Sequence, residues 1–194
     1  MALRQQVAAE LQRRGYRGRR GTLGLPLDED FSYVVVIGSV SQRSDVVAPG
    51  VGLCCVPVEG LLVDLGVVPA LESPLEFRTT VGANVGYVLG EGYRSFQPPA
   101  SVGDVIETID AGLHVLDAYR SVPGVAVGID AVGGAASYPG ASYARVVACH
   151  LAGDAQGMER ALERARVEYL RYPDDEIAAT FREFERRLSA RRSP

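Results

Sequence analysis

The stretch YRSFQPPASVGDVIETIDAGLHVL, residues 93–116, changes its periodicity in the middle. Up to Pro98-Pro99, apolar residues come in short β-branched or alternating runs, the pattern of strands. Beyond the prolines, Val102, Ile106, Ile109, Leu113 and Leu116 recur at helical spacing and make one apolar face. Ser101 with Asp104 three residues on resembles a capping box, and the helix ends before Pro123. The switch predicts an α+β fold: an N-terminal helix, an antiparallel β-sheet confined to about residues 16–97, and a helical part with no strand after residue 140.

Upstream, Leu3, Val7 and Leu11 predict a helix over about residues 2–14, closed by Gly15 with Tyr16 as the following hydrophobe. Leu23, Leu25 and Leu27 alternate as in a half-buried strand, and Asp28, Glu29 and Asp30 make a polar turn. The nearly continuous run from Tyr33 to Val40 reads as a central strand, and Val51 to Val56 as the next. Pro57 opens a short helix through Leu61, Leu62 and Leu65, ended by Gly66. Phe77–Val81, Val85–Leu89 and Tyr93–Gln97 read as fainter strands between glycines. Hairpin-length links imply antiparallel pairing.

Downstream, residues 124–140 are small and glycine-rich and give no clear period. Tyr143–Leu151 reads as a helix, Gly153-Asp154 as a turn, and Met158, Leu162, Ala165 and Tyr169 as the face of the next helix. Pro173 opens the last helix, with Asp174, Asp175 and Glu176 in its first turn and Ile177, Phe181, Phe184 and Leu188 as its buried stripe. The 194 residues read as a single domain, with helix and sheet in 1–100 and helices in 101–191.

Composition excludes several chemistries. All 20 basic residues are arginine. Without lysine there is no Walker A lysine, no lysine Schiff base to pyridoxal phosphate and no Ser-Lys dyad. No apolar run is long enough for a membrane span, and Arg4, Glu10, Arg13 and Arg14 interrupt the only apolar stretch before residue 20, so no membrane partner and a cytoplasmic location are expected. Residues 1–20 carry six arginines against Glu10, a net of +5. Residues 21–157 carry five arginines against fifteen acids, a net of −10, and residues 158–194 nine arginines against eight acids. An acidic centre disfavours nucleic acid and favours a basic protein partner.

The soft-ligand inventory is Cys54, Cys55, Cys149, His114 and His150. Neighbouring cysteines on a strand point to opposite faces, and no CxxC, HxH or HExxH spacing occurs, so no metal or other cofactor is expected. Ser142, in Gly140-Ala141-Ser142-Tyr143-Ala144, lacks the second glycine of a nucleophile elbow. Gly82, Gly86, Gly90 and Gly92 match neither the dinucleotide nor the P-loop fingerprint. Arg13, Arg14, Arg17, Arg19 and Arg20 form a basic cluster, explained at Arg13 and Arg14 by the helix C-terminus. That leaves Asp28, Glu29 and Asp30, an acidic turn followed by Phe31 and Tyr33, as the candidate partner-binding site. The acids suit a basic surface, and the two aromatics share strand parity and so face one side.

The opening from Leu11 to Asp30, LQRRGYRGRRGTLGLPLDED, resembles small uncharacterised bacterial proteins that begin with a helix, a Gly-aromatic step and an Arg-rich first strand. The overall plan also resembles bacterial immunity proteins that neutralise polymorphic toxins. That resemblance implies a non-catalytic protein that blocks a toxin, commonly a cationic nuclease, and carries over no individual residue. The alternatives are a small enzyme using carboxylates or the two histidines, and a scaffold or assembly subunit built on the C-terminal helices.

Overall fold

The computed structural model describes residues 2–19, 21–38, 46–67, 78–133, 140–171 and 176–192. The fold is α+β, with an N-terminal helix, a five-stranded antiparallel sheet and a helical second half. Helix α1 (Leu3–Arg13) buries Leu3, Val7 and Leu11. Gly15 ends it at φ 93°, where a side chain would be strained. The Tyr16 N–H donates to the Leu11 carbonyl at 3.1 Å and the Gly15 N–H to Gln12 at 3.0 Å, the pair of bonds of a Schellman close.

Strands β1 (Arg17–Arg19), β2 (Thr22–Pro26), β3 (Phe31–Gly38), β4 (Ala48–Cys55) and β5 (Val81–Asn84) lie side by side in chain order, each antiparallel to the next. The register Phe31↔Cys55, Tyr33↔Leu53 and Val35↔Val51 turns these residues toward the helices. Their neighbours Ser32, Val34 and Cys54 point the other way and are buried too. Burial on both faces explains why β3 reads as a continuous apolar run instead of an alternation. Part of that second face is covered by Thr79, since a Cβ on Gly52 or Gly82 would come within 2.5 or 2.8 Å of its methyl group.

The helices that follow are α2 (Val56–Asp64), α3 (Val85–Val88), α4 (Val102–Leu116), α5 (Val122–Gly133), α6 (Ala141–Leu151), α7 (Ala155–Tyr169) and α8 (Glu176–Arg192). Helix α4 starts on the expected capping box of Ser101 and Asp104 and packs against β4, α1 and α3. Its Ile106, Ile109, Leu113 and Leu116 are buried, and each such side chain is worth about 1.5–3 kcal/mol. Gly112 permits the close approach: a Cβ there would lie 2.7 Å from Val85 and 3.0 Å from Val51. In the second half, Tyr143 of α6 stacks on Tyr169 of α7 at 4.7 Å and meets Phe184 of α8 edge-on at 4.9 Å. Phe181 completes this aromatic core.

Four expectations need correction. Val85–Val88 is one helical turn, because the Asn84 side chain accepts from the Gly86 N–H and starts a helix there. Tyr93–Gln97 contributes only a bridge, Val47↔Phe96. Of the strand expected at Phe77–Val81, residues 78–80 are not in a strand and Val81 is the first residue of β5 (Val81–Asn84). In α8, Ile177 is 53% exposed and Ala178 takes its place in the buried stripe with Phe181, Phe184 and Leu188. Among the described residues no strand follows Asn84, and no helix is long and apolar enough to cross a membrane. Val40, Phe77, Pro173, Asp174 and Asp175 fall outside the described residues.

Candidate functional site

The acidic turn joins β2 to β3 at the end of the sheet nearest the C-terminus of α4. Asp28 folds the turn onto itself, accepting from the backbone N–H of Asp30 at 2.9 Å and of Phe31 at 2.8 Å. The Arg120 guanidinium also donates to it and, as the largest influence, holds its carboxyl below the ordinary range. Glu29 and Asp30 project into solvent. Phe31 is only 6% exposed and packs in the core, so the aromatic expected to anchor a partner supports the sheet instead. Tyr33 faces the same way and is half-buried. Its hydroxyl donates to Asp117, and burial first, then that bond, pushes its pKa up.

The structure adds a second row of acids to the turn. Helix α4 and the residue after it expose Asp104, Glu107, Asp110 and Asp117, with no arginine among them. The row is about 20 Å long at 1.5 Å per residue. Its far end is the α4 capping box, and its near end meets Tyr33 and the turn. Between α1 and α4 runs an open groove of about 750 Å³. Ala9, Val102 and Ile106 give it an apolar floor, with Glu10, Glu107 and Asp110 along its edges. Arg14 crosses one edge, 2.8 Å from Asp110 and 3.0 Å from Glu10, and Arg13 also pairs with Glu10. The basic cluster is thus partly consumed by local ion pairs, while the Arg19 side chain and Arg20 lie outside the described residues.

Chemistry-bearing groups elsewhere are scattered. His114 is 89% exposed, with Asp117 3.8 Å from its Nδ1. Cys54, Cys55 and Cys149 are buried and in no disulfide, and burial pushes each thiol up, Cys55 to about 11, which disfavours the thiolate. The Ser142 hydroxyl donates to Glu168 at 2.5 Å. Among the described residues no group of three or more His, Cys, Asp or Glu comes together to hold a metal ion. Glu59 is the one fully buried acid among them, 2% exposed on α2. It accepts from the Thr80 hydroxyl at 2.8 Å, and that oxygen accepts from the Cys55 N–H at 2.9 Å. Burial raises its pKa against the opposing pull of Thr80 and Arg78.

No family model, curated protein or solved structure matches this chain. Its functional reading therefore rests on geometry and charge.

Sequence reasoning missed the α4 row because its acids are spread over the helix instead of forming a run. Their common exposure is the helical complement of the apolar face, and that signal was present in the spacing. Glu59 was signalled as the single acid within the apolar stretch Val56–Val63.

Proposed function

We propose that this protein is a non-catalytic protein-binding module that engages a basic partner through the acid row of α4 and the adjoining turn. The supporting observation is the continuity of exposed Asp104, Glu107, Asp110 and Asp117 with Glu29 and Asp30; among the described residues Arg14 is the one arginine in an ion pair with any of them, at Asp110, while Arg120 pairs with the neighbouring Asp28. Such a surface steers a cationic protein into place, and the apolar floor of the α1–α4 groove accepts a side chain at its centre. A toxin of the cationic nuclease kind has the required charge. Asp28 and Phe31 hold the turn in shape, and Glu29, Asp30 and Glu107 make the contact.

Wild-type protein and a variant carrying Glu29→Gln, Asp30→Asn and Glu107→Gln can each be used to capture proteins from cells that express it. The captured protein is then identified and purified. A basic protein held by the wild type and bound at least tenfold more weakly by the variant supports the proposal. Capture of nothing, or of the same proteins equally by both, overturns it.

A further inference from the structure

Arginines gather at a second place, in the helical half. Three helix faces converge on a pocket of about 190 Å³ between α5, α6 and α7. Arg145 of α6 and Arg160 and Arg164 of α7 line it, and Asp130 of α5 pairs with Arg145 and Arg164. The side chain of Arg145 is only 16% exposed; it pairs with Asp130, yet its buried Nε–H has no hydrogen-bond partner. Arg164 reaches the same Asp130 oxygen at 3.6 Å. Asp154, the other acid at the rim, is spent on capping α7, where it accepts from the Gly157 N–H at 2.8 Å. Arg145 is thus held among like charges: burial lowers its pKa first, and the nearby Arg164 lowers it further. Ala126 and Val127 of α5 and Ala161 of α7 add an apolar wall.

Three guanidinium groups lining one pocket, two of them on a single Asp130 oxygen, exceed what local ion pairing needs. Planar forks of donors match the oxygens of a tetrahedral dianion, which can draw on several guanidinium groups at once. We infer that the α5–α6–α7 pocket binds a phosphate group, free or carried on a small molecule, through Arg145, Arg160 and Arg164. The pocket is built from residues other than those of the acidic face, so either site can fail without the other.

The test is calorimetric titration of the full chain with inorganic phosphate and, separately, with phenyl phosphate. Sodium chloride at matched ionic strength is the reference. Saturable binding of either probe at one site per chain, absent with chloride, is expected. Tighter binding of phenyl phosphate means the apolar wall is used and the natural ligand carries its phosphate on an apolar group; equal binding means the free ion. Replacing the exposed residues of α7, Arg160→Gln and Arg164→Gln, should weaken binding by tenfold or more while the thermal melt stays cooperative. Heats no larger than those of chloride, or affinities unchanged in the double α7 variant, overturn the inference.

Discussion

Glu59 and the acids of the 28–30 turn are the same chemistry in opposite surroundings. Glu59 lies inside the fold, on the buried side of α2, with its hydrogen bond to Thr80 and with Arg78 acting on its charge. Asp28 sits at the surface, where Arg120 and two backbone N–H groups stabilise its charged form. Burial raises the first pKa and pairing lowers the second. A carboxylate inside the fold therefore sets stability, whereas carboxylates at the rim are available to govern association.

The largest effect that sharpens this contrast is Glu59→Ala. It leaves the Thr80 hydroxyl without its acceptor in a buried setting and removes a carboxylate that acts on Arg78. The expected loss is about 3 kcal/mol in chemical denaturation, the cost of breaking a buried polar network. A loss near zero would mean that Glu59 is exchangeable and the contrast false.

The conservative change Glu59→Gln isolates the titration. Glu59 has its folded pKa raised, so its contribution to stability is fully present below the unfolded value near 4.5 and is lost as pH rises through the folded value. The difference in melting temperature between wild type and Glu59→Gln should therefore move against the wild type as pH rises from about 4 to 8, since the amide keeps the Thr80 bond without the buried charge. A difference independent of pH would contradict the raised pKa.

Asp28→Asn should give a smaller curve of the opposite sign. Its folded pKa is lowered, so the wild-type advantage is present at neutral pH and is lost as pH falls through the folded value. The effect is small because the Arg120 pair is open to solvent, and 0.5 M salt should shrink it further.

Much of this architecture was legible from the residues. The periodicity switch at Pro98-Pro99 separates sheet from helices, and α1, α4, α6 and α7 show their apolar rows. Helix α5 was not legible because Gly124, Gly128 and Gly133 with Val125 and Val127 have poor helix propensity. Packing forms it instead: Val125, Ile129 and Val132 are buried, and Gly128 leaves room for the Tyr119 ring, which a Cβ would meet at 2.7 Å. Helix α3 was misread because Val85, Tyr87 and Val88 favour strands, while the cap from Asn84 wins locally. In the candidate site, the charge of the turn was plain. The partners that fix it were not, since Arg120 lies 92 residues from Asp28 and Asp117 lies 84 from Tyr33. Phe31, read from the sequence as a partner-binding aromatic, is instead placed on the helix-facing side by its register with Cys55, which the sequence does not show.

The acidic face is tested most directly once its protein partner is in hand, by measuring affinity at two salt concentrations. The comparison is wild type against the Glu29→Gln, Asp30→Asn, Glu107→Gln variant, whose folding should be unaffected because all three side chains are exposed. The account predicts that the variant binds at least tenfold more weakly at low salt, about 1.4 kcal/mol, mostly through slower association. It also predicts a flatter dependence of log Kd on log salt than the wild type shows. Equal affinity with an equal salt slope would contradict it, because the partner would then be held by some other surface.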